Sequence, residues 1–261
     1  MAAAKVTVTW VEDGVALVRM DDPEQRNLLT DRLLDELMAA LRELSADAKI
    51  KAVILCGRRD VFCGGGSLEM LRDVAAGATH AKDILLPAML VEFPVPIIAA
   101  LEGPAVGAGL AVALWCDIVV ASEHARYGAN FTSMGFTPGL GITSLLPALV
   151  GYGFASEMMM TAKLYKGREL VDRQLFTHVV PEGKVLELAL DIARRIAERP
   201  RHVLTMLKAE IALPRRGMLT NAMPREHVMH QVCFSRPEAR ALLEEGYAGP
   251  RPGAPERGTE G

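Results

Sequence analysis

The stretch Leu101-Glu102-Gly103-Pro104-Ala105-Val106-Gly107-Ala108-Gly109-Leu110-Ala111 constrains this chain more than any other. An apolar run from Pro96 enters it, and a small-residue segment leading to Trp115 and Cys116 leaves it. Strand, glycine turn and helix start leave backbone N–H groups unpaired at a helix N-terminus, where negative charge is favoured. A second glycine turn, Phe62-Cys63-Gly64-Gly65-Gly66-Ser67, also follows a strand-like run and precedes a helical pattern. Either turn alone can serve chain reversal or close packing. The two together can aim two N–H donors at one oxygen, which is what an oxyanion hole requires.

The rest of the chain supplies an α/β frame for these turns. Residues 6–10 and 15–20 alternate about Asp13-Gly14, a hairpin signal. Thr30 or Asp31 can cap a helix bearing Leu33, Leu34, Leu37, Met38, Leu41 and Leu44 on one face. Residues 52–56 are a continuous apolar run, expected of a strand buried on both faces, 95–101 read as a strand and 117–121 as another buried strand. Residues 74–82 have weak periodicity, and 83–93 are helical again. Residues 127–131 read as extended, 135–141 as a loop, 142–150 and 155–161 as helices, and 178–180 as a strand. Beyond Pro181, residues 185–199, 202–212 and 219–234 read as three successive helices, and 238–246 as a fourth. The pattern divides into a core over 1–195, a helical segment over 196–248 and a disordered tail over 249–261, where proline, glycine and charge dominate.

Half of the 261 residues are apolar, enough for a large core. The formal net charge of −3 points away from nucleic acid and membrane surfaces as main partners. No run of 18 apolar residues occurs, and the first residues lack signal-peptide character, so a cytoplasmic protein is expected. Cys56, Cys63, Cys116 and Cys233 show no CxxC spacing, do not cluster with the six histidines, and read as buried free thiols; no metal site is expected.

Four motifs in order resemble the crotonase (enoyl-CoA hydratase/isomerase) superfamily over essentially the whole ordered length. They are the two glycine turns, Trp115-Cys116-Asp117-Ile118-Val119-Val120-Ala121, and Gly135-Phe136-Thr137-Pro138-Gly139 as a GxxPG turn. The resemblance implies a crotonase-like spiral of ββα units with a C-terminal helical trimerisation segment, giving a homotrimer or hexamer. It also implies an acyl-thioester substrate whose carbonyl oxygen is bound by two backbone N–H groups, which fall on Gly66 and Ala108.

The departures from that pattern are informative. A hydratase of this family positions water with two glutamates, and the corresponding slots here hold Ala111 and Phe131. Neither can transfer a proton. Glu102 and Glu123 lie nearby in sequence but occupy neither slot. Within the superfamily, Tyr127-Gly128-Ala129-Asn130-Phe131, Met134–Gly139 and Glu226-His227-Val228-Met229-His230-Gln231-Val232-Cys233-Phe234 resemble the decarboxylating crotonases of polyketide β-branching. That likeness implies decarboxylation of a 3-methylglutaconyl-type thioester on an acyl carrier protein, with His230 as proton donor. A family lysine that orients the leaving carboxylate corresponds to His80, with Lys82 two residues on as the alternative. Ala111, Asn130 and Phe131 are the expected pocket residues, and Arg58-Arg59 a candidate docking patch for an acidic carrier. No cofactor is implied, since phosphopantetheine would arrive on the carrier protein or on coenzyme A. An enoyl-CoA hydratase or isomerase with non-standard acid/base groups, and a non-catalytic acyl-thioester-binding protein, are the alternatives.

Overall fold

The computed structural model describes residues 5–77 and 81–248, without the side chains of 81–84 and 248. The chain opens with the expected hairpin, β1 (Val6–Glu12) and β2 (Val15–Met20), turning at Gly14 with φ +76°. Helix α1 (Asp31–Ala46) starts at Thr30, whose hydroxyl accepts from Leu33 N at 3.2 Å, and buries the six expected residues. Next come β3 (Ala52–Cys56), α2 (Leu68–Ala75), α3 (Ala81–Glu92), β4 (Ile97–Leu101), β5 (Ala105–Val106) and α4 (Ala108–Trp115). Strands β6 (Ile118–Ser122) and β7 (Arg126–Gly128) precede a 3-10 turn at Asn130–Met134. Helices α5 (Ile142–Val150) and α6 (Tyr152–Thr161), then β8 (Tyr165–Lys166) and β9 (His178–Val180), complete the sheets. Helices α7 (Val185–Ala197), α8 (Arg201–Phe234) and α9 (Pro237–Ala248) follow.

The large sheet has the order β1-β2-β3-β4-β6-β9 and is parallel from β2 onward. A smaller sheet, β5-β7-β8, stands beside it. Isolated bridges Leu29↔Gly66 and Cys63↔Ala105 extend the small sheet's pattern to the chain after β2 and β3. Each large-sheet strand from β2 to β4 thus runs on into a short extended piece and then a helix. This is the expected spiral of ββα units.

Strand β3 shows why its residues read as one apolar run. Val53 and Leu55 face the main core with α1, while Ala52, Ile54 and Cys56 face α7 through Val185, Ala189 and Ala193. The period of two puts both sets out of water. Cys56, Cys63 and Cys116 are buried free thiols; Cys233 is free but only half-buried, against expectation.

The C-terminal segment departs further from the sequence pattern. The boundary at 195/196 falls in the last turn of α7, and residues 202–212 and 219–234 are one continuous helix, α8, running through Pro214 and Pro224. A proline inside a helix costs about 3 kcal/mol. Tertiary anchors spaced along α8 offset it. Lys208, buried, pairs with Asp117 and donates to Leu90 O at 3.2 Å, and Arg215 donates to Leu114 O at 2.7 Å. Glu226, beyond the second proline, is also buried and hydrogen-bonded, as described below. Ala212, Leu219 and Phe234 of α8 and Leu243 of α9 belong to the main core. The expected tail over 249–261 lies outside the described residues.

Candidate active site

The two glycine turns are laced together by backbone contacts. Phe62 N and Cys63 N both donate to Pro104 O (2.9 and 3.3 Å), and Val106 N donates back to Cys63 O at 3.2 Å. A Cβ on Gly103 would lie 2.4 Å from Val61 N, and one on Gly109 would lie 2.4 Å from Cys63 O. No side chain fits there, so these glycines permit the turns to touch. Gly107, which caps α4, holds φ +55° and ψ −120°, and its N–H donates to Gly128 O at 2.8 Å. Gly65 holds φ +106°, and its carbonyl accepts from Leu29 N at 2.8 Å.

This lacing leaves two amides over. Neither Gly66 N–H nor Ala108 N–H has an acceptor among the described residues, and both residues line one cavity of about 140 Å³. Ala108 opens α4, so its free N–H lies at the positive end of the helix dipole. The cavity wall is mainly apolar: Leu29, Met70, Leu71, Phe131, Phe136 and Phe234 contribute.

Asn130 and Phe131 also line the cavity, but in a 3-10 turn rather than the extended piece that 127–131 suggests; β7 ends at Gly128. The Asn130 side chain is buried, has no hydrogen-bond partner among the described residues, and reaches within 3.1 Å of where a Cβ on Gly107 would lie. Ala111 is different. It is fully buried on α4 and is not on the cavity wall. Its place one turn into the helix turns its side chain into the core.

His230 and His227 of α8 both line the cavity. The His230 Nε2 lies 2.8 Å from Thr137 O, so this nitrogen carries the proton in the neutral ring and donates to the carbonyl. Phe136 meets the imidazole edge-on, with centroids 5.8 Å apart and planes at 76°. A Cβ on Gly139 would lie 2.8 Å from His230 Cε1. The last glycine of the GxxPG turn therefore makes room for the imidazole. Burial holds His230 below the ordinary histidine value of 6.5, and His227 adds to this; the Thr137 carbonyl and Glu226 pull the other way. His80 lies outside the described residues, and Lys82 falls in the first turn of α3, its side chain likewise outside them.

Glu226 is the one carboxylate on the cavity wall among the described residues, and it is already engaged. Its oxygens accept from Gly141 N (2.7 Å), Thr143 N (3.1 Å) and Thr143 Oγ1 (2.6 Å). It caps the N-terminus of α5, where Gly141 offers no side chain. Sequence reading assigned Glu226 no task; a carboxylate four residues before His230 was visible, but its partners lie more than eighty residues away. Glu102 pairs instead with Arg59 (3.7 Å) and Glu123 with His124 (3.1 Å), both off the cavity. The Arg58-Arg59 patch is correspondingly neutralised, since Arg58 also pairs with Asp21 (2.6 Å) and Asp60 (3.0 Å). Burial pushes the Cys63 and Cys116 thiols up to about 12 and Cys56 up to about 11, so they are poor nucleophiles. Among the described residues no helix is long and apolar enough to cross a membrane.

The family model described as enoyl-CoA hydratase/isomerase matches residues 11–248. The chain is 33% identical to the bacillaene synthase decarboxylase PksI of Bacillus subtilis, over 95% of this chain and 99% of that protein. It is 34% identical to a putative enoyl-CoA hydratase of Thermus thermophilus, over 83% of this chain and 91% of the other. Among solved structures, one from a dehydratase/decarboxylase enzyme couple of polyketide β-branching superposes with a TM-score of 0.88 at 33% identity, covering 92% of this chain and 95% of that one. The ECH2 decarboxylase domain of CurF from Lyngbya majuscula superposes at 0.87 and 31% identity, covering 93% and 99%. Match, fold and paired glycine turns agree: the chain belongs to the enoyl-CoA hydratase/isomerase, or crotonase, family and is an enzyme of that family.

Proposed function

We propose that this enzyme decarboxylates a β-branched, 3-methylglutaconyl-type thioester presented on an acyl carrier protein, in polyketide biosynthesis. The observation that carries the reading is the composition of the cavity. It holds two unpartnered backbone amides and a half-buried histidine, while its one described carboxylate is engaged in capping α5. Such a site can stabilise a thioester oxyanion and deliver a proton, but among the described residues it has no pair of carboxylates to activate water. Similarity to PksI and to the β-branching structures supports the same reaction class.

The chemistry is as follows. The C–C bond to the substrate carboxylate breaks and carbon dioxide leaves. The electron pair moves through the conjugated double bond into the thioester, giving a dienolate whose oxygen sits between the Gly66 and Ala108 N–H groups. In related sites each such donor is worth about 2.7–4 kcal/mol. His230 then protonates the distal carbon, giving a 3-methylcrotonyl-type thioester. Phe131 and the neighbouring apolar wall favour neutral carbon dioxide over the buried carboxylate. Asn130 offers a hydrogen bond to the acyl group. His80 or Lys82 supplies the cation that orients the carboxylate. No cofactor beyond the carrier's own phosphopantetheine is required.

Incubation with 3-methylglutaconyl-carrier protein, followed by intact mass, tests this directly. Loss of the mass of carbon dioxide is expected. Gain of water or an unchanged mass with a shifted double bond would establish a hydratase or isomerase instead, and binding without turnover a non-catalytic thioester-binding protein. The assembly is proposed to be a homotrimer or hexamer through α8, which exposes Met206, Leu207 and Ile211; light scattering on the purified protein reads it.

A further inference from the structure

The first glycine turn has a difficulty that its own sequence does not solve. Gly64-Gly65-Gly66 has no Cβ to restrict it, so the amide that should bind the oxyanion belongs to the least constrained backbone in the chain. Three hydrogen bonds from outside hold it among the described residues, one of them from Ser67 N to Leu29 O at 3.3 Å. On one side, Leu29 N donates to Gly65 O. On the other, the Tyr247 hydroxyl of α9 donates to Gly66 O. The Gly65–Gly66 peptide, which carries the Gly66 N–H, is held by Leu29, and the Gly66–Ser67 peptide by Leu29 and Tyr247 together, so that the Gly66 torsions between the two planes are fixed. Tyr247 lines both the cavity and a second hollow formed with Gln25, Leu28, Thr30, Ser67, Leu68 and Glu69.

Helix α9 is itself fastened to the element that the turn leads into. Arg72 of α2 donates to both Glu244 oxygens, at 2.7 and 2.5 Å. Leu243 is buried, and a Cβ on Gly135 would lie 2.7 Å from Ala239 Cα, so α9 packs closely over the GxxPG turn.

We infer that Tyr247 is a positioning residue for the oxyanion hole: its hydroxyl, held over the site by α9, pins the peptide that follows Gly66 and, through the Gly66 torsions, steadies the placement of the Gly66 N–H. The inference rests on the proposed thioester site and goes beyond it, because it places the last helix in control of the first glycine turn. Tyr247 acts through Gly66, with no contact to the reacting atoms required. Tyr247→Phe keeps the ring between the two hollows and removes only the hydroxyl.

The test reads the hole without turnover. The probe is the pantetheine thioester of [1-13C]3-methylbutyrate, which is saturated and has no carboxylate to lose. Isotope-edited infrared spectra of the bound probe should show a thioester C=O stretch lowered from its value in buffer. In Tyr247→Phe at least half of that lowering should be lost, and decarboxylation kcat should fall about tenfold with KM within about twofold. Arg72→Leu, which cuts the other tie to α9 and leaves the hydroxyl, should keep the wild-type stretch. A full lowering in Tyr247→Phe overturns the positioning role. An equal loss in Arg72→Leu overturns it too, assigning the effect to helix docking alone. No lowering in the wild-type protein overturns the thioester hole itself.

Discussion

The two walls of the cavity are built by opposite means. The wall formed by the two glycine turns is made of backbone: residues 61–67 and 103–109 exchange hydrogen bonds directly, and at Gly103 and Gly109 no side chain would fit between them. The facing wall is made of side chains carried by α8, with His230 seated against Phe136, Gly139 and the Thr137 carbonyl. The first wall offers the same two N–H groups whatever side chains surround it.

Four substitutions sharpen or break that contrast. His230→Gln should be the most severe for turnover, lowering kcat by about 10²–10⁴-fold while the thermal midpoint stays near the wild-type value. The same residue sets the pH response. The proton donor must be the imidazolium, so kcat/KM should fall as pH rises through a value below 6.5, and the variant should lose this dependence. Loss of the dependence without loss of rate would remove His230 from the mechanism.

Gly109→Ala attacks the other wall. Its Cβ would meet the Cys63 carbonyl backbone, which has no rotamer to yield, so activity should fall by about 100-fold and stability by about 1–3 kcal/mol. Urea unfolding and steady-state rates check both. Glu226→Gln should cost about 1–3 kcal/mol, because an amide N–H₂ would oppose the Gly141 and Thr143 donors, with a smaller effect on rate. If it instead abolished turnover with stability intact, Glu226 would be a catalytic acid and the hydratase reading would revive. Gly66→Ala should matter least. The nearest atoms to an added Cβ are the Met70 Cε at 3.5 Å and the Leu71 Cγ at 3.6 Å, and the N–H is retained, so rates should stay within about threefold. The contrast between Gly109 and Gly66 separates glycines needed for close approach from a glycine whose N–H is what counts.

Much of the frame was legible because its signals are local. The hairpin at Asp13-Gly14, the Thr30 cap, the both-faces-buried run of β3 and the helix over Ile142–Val150 all follow from turn chemistry and periodicity within a few residues. The local signal misled where tertiary contacts outweighed it. The break read between residues 212 and 219, around Pro214, is absent, and α8 continues because Lys208, Arg215 and Glu226 are held by distant partners. Asn130 and Phe131 continue an apolar strand pattern, yet the chain curls after Gly128 into the turn that carries both to the cavity. Ala111 marks the missing glutamate in sequence but contributes no surface to the wall.

By itself the sequence determined the two glycine turns and their place between strand and helix. Those features depend on backbone freedom and residue type, which are properties of short stretches. The tertiary structure alone decided which groups meet at the cavity. The Thr137 carbonyl holds His230 across 93 residues, and Tyr247 reaches Gly66 across 181. Contacts of that span arise only when α8 and α9 pack back over the sheet, so no local pattern in either partner announces them.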